Sequence, residues 1–331
     1  MRWMFLTVLA LASAVHAQAP QLQAQAAWYA GYFRDSRLVE ITPERRLNLY
    51  CEGAGSPTVV LESGLGDGAA SWAPVQHEIA KTTRVCSYDR AGHGRSPPGP
   101  RPRDTRAEVE DLERLLEKGG VPGPYVLVGH SMGAYNVRLF ASRHSGQVAG
   151  VVLVDGSVEN QSRRFSEIIP NWNEVASRNL PLIRKCADPQ RSGAVADACI
   201  GSPPHGYPAE FADRYRESQS AAHFATTLSE RESFDALDSD EVVSERRSFG
   251  DMPLIVLTAG SGMDGLPVEH AADIAKLWGR MHDEVAGLST KGVNRTIDGA
   301  HHYIHGDRPE AVIAAVNEVV QAARRDRTAR R

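Results

Sequence analysis

The sequence predicts an α/β protein: a mainly parallel sheet with helices on both faces, interrupted by one helical insertion. Three observations carry that expectation. Short unbroken apolar runs, among them Val59-Val60-Leu61, Tyr125-Val126-Leu127-Val128, Val151-Val152-Leu153-Val154 and Leu254-Ile255-Val256-Leu257, read as buried strands. Segments of helical spacing stand between them, so strand and helix alternate. The alternation stops at Gly156 and resumes only near Met252, and the residues between are polar, helical in places and broken by Pro. That interval is too long for a structureless loop and reads as a cap.

Residues 1–17 carry one Arg, an apolar run and Val15-His16-Ala17 with small residues at the cleavage positions, the pattern of a secretory signal peptide. Gln18 to Arg37 reads as a linker, or as an arm whose Trp28, Tyr29, Tyr32 and Phe33 pack on the body. Arg46 to Glu52 alternates as a strand. Pro57 to Glu62 is a second strand, ending in the glycine-rich Ser63-Gly64-Leu65-Gly66-Asp67-Gly68. Trp72 to Lys81 follows as a helix and Thr83 to Asp89 as a strand, while Arg90 to Pro102 is loop by its Gly and Pro content. Asp104 to Lys118 places Val109, Leu112, Leu115 and Leu116 at helical spacing, and Gly119-Gly120 stops it. After the strand at Tyr125 and its helix, Gly150 to Asp155 is again a strand. Beyond the insertion come a strand at Met252 to Thr258, a helix around Val268 to Leu288, a strand near Asn294 to Ile297 and a helix from Pro309 to about Ala323. The arginines from Arg324 onward read as a solvated helix end. The expected organisation is a leader at 1–17, linker or arm at 18–37, a core at 38–156 and 250–325, a cap at 157–249 and a basic tail at 326–331.

A hydrophobic content of 42%, 24% charged residues and a net charge of −4 fit a globular protein and give no reason to expect a nucleic-acid partner. With a leader, the four cysteines Cys51, Cys86, Cys186 and Cys199 suggest two disulfides, and three pairings are open. None sits in a C-x-x-C spacing, and no H-E-x-x-H is present, so neither a metal nor an organic cofactor is expected.

The chemistry centres on Gly129-His130-Ser131-Met132-Gly133, where a buried strand turns abruptly into a helix with a serine at the corner. A serine on so tight a turn is strained, and its flanking glycines let backbone pack where a Cβ would not fit. The five-letter pattern is weak alone and strong in strand-to-helix context. With Glu62-Ser63-Gly64-Leu65-Gly66, Tyr88-Asp89-Arg90-Ala91-Gly92-His93-Gly94-Arg95-Ser96, and Gly299-Ala300-His301-His302 leading to Asp307-Arg308-Pro309-Glu310, it makes the chain resemble the α/β-hydrolase superfamily. Within that superfamily it is similar to the capped serine esterases and lipases, over about residues 45 to 325.

The resemblance implies an eight-stranded sheet and a Ser-His-Asp triad. Ser131 would be the nucleophile and His302 the base, with His301 and His305 near enough in sequence to compete for that role. The acid is open between Asp155, which ends the sixth strand, and Asp264, which follows the seventh by a longer approach; Asp155 is favoured. The backbone NH groups of Leu65 and Met132 would bind the oxyanion, although Ser63 replaces the family's usual His. Asp89 and Arg90 read as scaffolding and His130 as a packing residue. The implied fold sets the second strand beside the fourth, which favours Cys51 with Cys86 and Cys186 with Cys199. The expected activity is cleavage of small-molecule carboxylic esters by an exported enzyme, with no stable membrane insertion after leader removal. An amidase, peptidase or thioesterase on the same triad, and a ligand-binding sensor with negligible turnover, are the alternatives. A serine at position 131 argues against the aspartate-nucleophile relatives that open epoxides or remove halide.

Overall fold

The computed structural model describes residues 27–200, 208–234, 236–262 and 268–329. The proposed leader and Asp264 lie outside the described residues. Eight strands form one sheet: β1 (Arg37–Thr42), β2 (Arg45–Glu52), β3 (Thr58–Glu62), β4 (Val85–Asp89), β5 (Tyr125–His130), β6 (Val148–Val154), β7 (Leu254–Ala259) and β8 (Gly292–Ile297). Their order is β1-β2-β4-β3-β5-β6-β7-β8. β2 runs antiparallel to both its neighbours, and every pairing from β4 to β8 is parallel.

Side chains alternate across a strand. Val59, Leu61, Val126, Val128, Val152 and Val154 accordingly enter one core with Trp72, with Val75 and Ile79 of the helix Ala73–Ala80 that follows it, and with Val312, Val316 and Val319 of helix Pro309–Ala329. The residues between them, Val60, Leu127, Val151 and Leu153, meet Leu112, Leu115, Val137 and Met281 on the opposite face. Each such fully buried side chain contributes about 1.5–3 kcal/mol, so the two-sided burial of β3, β5 and β6 is what fixes the centre of the molecule.

Two extents differ from the sequence reading. β1 was not foreseen: Leu38, Val39 and Ile41 of Arg37–Thr42 are apolar but only Val39 and Ile41 are buried, and this short edge strand exists as one arm of a hairpin with β2. The last helix continues past Ala323 to Ala329. Residues 27–34 are helical, and Tyr29 and Tyr32 are buried against Tyr50, Ala69 and Ala73.

Between β6 and β7 the described residues form seven α-helices, Gln161–Ser166, Trp172–Ser177, Leu180–Cys186, Gly193–Cys199, Ala212–Ser218, Ala221–Phe234 and Leu237–Glu245. Cys186 is bonded to Cys199, joining two of these short helices, and Cys51 is bonded to Cys86, its direct partner across β2 and β4. Among the described residues no helix is long and apolar enough to cross a membrane.

Candidate active site

Ser131 follows the last residue of β5 and adopts φ +51°, a left-handed conformation that costs a non-glycine residue free energy. Packing holds it there. A Cβ on Gly129 would lie 2.7 Å from the Gly133 carbonyl oxygen, and one on Gly133 would lie 2.7 Å from the carbonyl oxygens of both Glu62 and Ser63. Only glycine permits β3, the elbow and helix Gly133–Arg143 to approach this closely. The Ser131 amide donates to Val154 O at 3.2 Å and its carbonyl accepts from Ser157 N at 2.9 Å, tying the elbow to the end of β6.

From there a continuous polar line runs inward. Ser131 Oγ lies 2.9 Å from His302 Nε2, and His302 Nδ1 lies 2.7 Å from Asp155 Oδ2. Asp155 is 1% exposed, whereas the His302 side chain is 36% exposed, so the line is anchored in the core and open at the imidazole. The other carboxylate oxygen, Asp155 Oδ1, accepts from Trp278 Nε1 at 2.8 Å and Ala259 N at 3.0 Å. Burial pushes the Asp155 carboxyl up, but the hydrogen bond and charge of His302, with help from His282 and the Ala259 amide, bring it below its ordinary value. It is therefore ionised and positioned as a histidine partner.

The competing histidines face elsewhere. His301 Nδ1 lies 3.1 Å from Asp307 Oδ2, and His305 is buried with its ring 4.5 Å from that of Trp72. His130 does more than pack. Its Nε2 donates to the His302 carbonyl oxygen at 3.0 Å, pinning the histidine loop to the elbow.

The segment expected to supply an oxyanion donor lies against the serine, since a Cβ on Gly64 would stand 3.2 Å from Ser131 Cβ. Ser63, in the place of the expected His, donates through Oγ to Gly68 O at 3.0 Å and closes the loop on itself. Beneath it, the buried Arg90 guanidinium donates to Ser63 O at 2.7 Å and Gly64 O at 2.6 Å. Arg90 is surrounded by Glu62 at 2.9 Å, Glu230 at 3.1 Å and Glu108 at 3.2 Å, all buried. Tyr88 donates its hydroxyl to Glu62, and Asn136 Nδ2 donates to Glu62 at 3.2 Å and Glu108 at 2.7 Å. Burial pushes the Glu62 and Glu108 carboxyls up despite Arg90, while the charges of Arg90 and His93 outweigh burial at Glu230 and hold it well below the ordinary range. Arg90 is legible in the sequence as part of the stretch Tyr88 to Ser96. Trp278 and Glu230 are not, because a tryptophan in a long amphipathic helix and a glutamate in the insertion carry no pattern that marks them.

A cavity of about 300 Å³ opens beside this loop, between Tyr32 and Phe33, Gly66 to Ser71, and Tyr215 of the insertion. Asp67 lies on its wall and also beside the Tyr303 hydroxyl, whose ionisation it pushes up. No group of His, Cys, Asp and Glu among the described residues is arranged to hold a metal ion.

A family model, described as the alpha/beta hydrolase family, matches residues 59–315. The chain belongs to the alpha/beta hydrolase family. As a member, it is 25% identical over 272 residues to the Bacillus subtilis protein YqjL, covering 82% of this chain and 87% of that one. It spans less than half the length of the next curated relatives it matches. Its fold is similar to that of a candidate lipase from Acinetobacter baumannii AYE, with a TM-score of 0.65, 17% identity, and coverage of 93% of this chain and 97% of the other. It is likewise similar to an esterase from Thermogutta terrifontis, with a TM-score of 0.60, 19% identity, and coverage of 87% and 98%. This alpha/beta hydrolase carries the family's sheet with β2 as its antiparallel strand and places a serine, a histidine and an aspartate in line at the carboxyl ends of its parallel strands.

Proposed function

We propose that this alpha/beta hydrolase is an exported serine hydrolase that cleaves carboxylic esters of small molecules. The observation that carries the reading is the hydrogen-bonded line from Asp155 through His302 to Ser131. A serine hydroxyl is a poor nucleophile until its proton has an acceptor, and His302 Nε2 is within reach of it. In this reading His302 takes the Ser131 proton as Oγ attacks the ester carbonyl carbon. The tetrahedral oxyanion is held by the backbone NH groups of Leu65 and Met132. The imidazolium, stabilised by Asp155, passes its proton to the departing alkoxide, leaving an acyl-serine and a free alcohol. Water then enters; His302 removes one proton, hydroxide adds to the acyl carbon, and the proton returns to Ser131 as the acid leaves.

The reading needs no cofactor, and a small ester is the only partner it calls for. Export is supported by the leader-like residues 1–17 together with two disulfides, which persist in oxidising compartments. Residues 157–249 would act as the cap, and the cavity beside Tyr32, Phe33 and Tyr215 would receive one side of the substrate.

A panel of chromogenic esters and matched amides of graded acyl length tests this. Ester turnover that disappears in Ser131→Ala, with a fluorophosphonate labelling Ser131 in the parent, is the expected result. Faster turnover of amides would move the protein to amidase chemistry, and tight ligand binding without turnover would make it a sensor.

A further inference from the structure

Helix Ala221–Phe234 of the insertion sits directly on the two loops that flank the elbow. Gly66 adopts φ +75° and Gly92 φ +86°. A Cβ on Gly92 would lie 2.0 Å from Thr226 Oγ1 and one on Gly66 3.3 Å from Thr227 Cγ2, so both glycines give the helix room to close in. One turn further along, Glu230 makes a three-way junction. Its Oε2 accepts from Gly66 N at 2.9 Å, and its Oε1 lies 3.1 Å from Arg90 Nε and 2.7 Å from His93 Nε2. Arg90 in turn donates to Ser63 O and Gly64 O, the carbonyls immediately before Leu65. Leu65 is thus bracketed: Arg90 holds the residues before it and Glu230 holds the residue after it.

We propose that Glu230 and Arg90 are positioning residues for the oxyanion loop, so that the Leu65 amide is correctly aimed only while the helix bearing Glu230 is seated on the core. The inference rests on the serine-hydrolase reading above and adds that the insertion helps build the catalytic site as well as covering it. Among the described residues the Ser63 hydroxyl reaches only Gly68 O and Ser71 Oγ within the loop itself, so the tie from the loop to the core falls to Arg90 below it. The guanidinium fork suits this role because it offers several donors in fixed geometry, and a lysine in its place could not grip two successive carbonyls and a carboxylate together. Lifting the helix would withdraw the Gly66 acceptor and remove a counter-charge from Arg90 in one movement.

Glu230→Gln, in the full-length protein, is the test. The substitution removes the charge facing Arg90 and His93 with little change of volume. Expected are a fall in ester kcat of about 10²-fold with KM little changed, and an equal loss of affinity for a trifluoromethyl ketone that mimics the tetrahedral adduct. Amide hydrogen exchange at Gly64 to Asp67 should rise, a change readable without any turnover. A purely structural role would lower the melting temperature and leave the inhibitor affinity of the folded fraction intact. Should Glu230→Gln fail to fold, Glu230→Asp keeps the charge but withdraws the carboxylate from Gly66, and the same three readouts should shift in the same direction. A folded variant that retains kcat, inhibitor affinity and exchange protection overturns the coupling alone. Wild-type protein inert toward every ester, with Ser131 unlabelled, overturns the underlying functional reading instead.

Discussion

Two polar clusters flank the elbow, and they use similar groups to opposite ends. The Ser131–His302–Asp155 line has one buried carboxylate, one imidazole and an opening to solvent at His302. The cluster below it packs three carboxyls, Glu62, Glu108 and Glu230, around a single guanidinium with no such opening. A buried charge is tolerated when it is paired and hydrogen-bonded, and then it rigidifies what it touches. An imidazole that must accept and release protons needs contact with substrate and water. The difference in exposure separates the group suited to react from the groups suited to hold.

The sharpest way to break this comparison is at the buried end of the reactive line. Asp155→Asn keeps the shape of the site but favours the wrong imidazole tautomer, and kcat should fall by about 10⁴ with the fold intact by circular dichroism. A loss below tenfold would show that Asp155 is not the acid. The matching cut in the other cluster should act on stability in addition to its effect on the oxyanion loop. Arg90→Met strands Glu230 beside Glu62 and Glu108, and urea unfolding should register a loss of about 3–5 kcal/mol.

His130 stands between the clusters. Replacing it with Phe removes the donor to the part-buried His302 carbonyl, and losing that hydrogen bond should cost about 0.5–1.5 kcal/mol, measured by denaturation. A corresponding drop in kcat would show that the histidine loop has shifted.

The most gradual effect is a dependence on pH. Burial, aided by His302 and opposed by Asp307, lowers the His305 imidazole to about 3 from its ordinary 6.5. Between those values the unfolded chain binds a proton that the folded chain does not. Stability from this group is therefore complete above 6.5 and declines as pH falls toward 3, by at most about 1.4 kcal/mol per pH unit. Buried carboxyls such as Asp238, raised to about 7 mainly by burial, pull the other way. They cancel when unfolding free energies of wild type and His305→Gln are subtracted at each pH. That difference should change between pH 6.5 and 4, and a flat difference would mean that His305 is protonated in the folded state.

The parallel strands, the serine at the corner and the histidine loop can all be read from the order of residues alone. Unbroken apolar runs record burial on both faces, and the elbow's glycines record a close approach of backbone, so both leave a mark in local order. The sequence favoured His302 over His301 and His305, and what the fold adds is direction: His302 reaches both Ser131 and Asp155, while His301 turns to Asp307 and His305 to Trp72. Only the tertiary structure revealed β1, Trp278 and Glu230. An edge strand with two inward residues, an indole reaching Asp155 from 123 residues away and a carboxylate reaching Gly66 across 164 residues depend on contacts that the intervening chain does not encode locally. Burial repeats along the chain and can be read from it. Direction and pairing arise where distant segments meet.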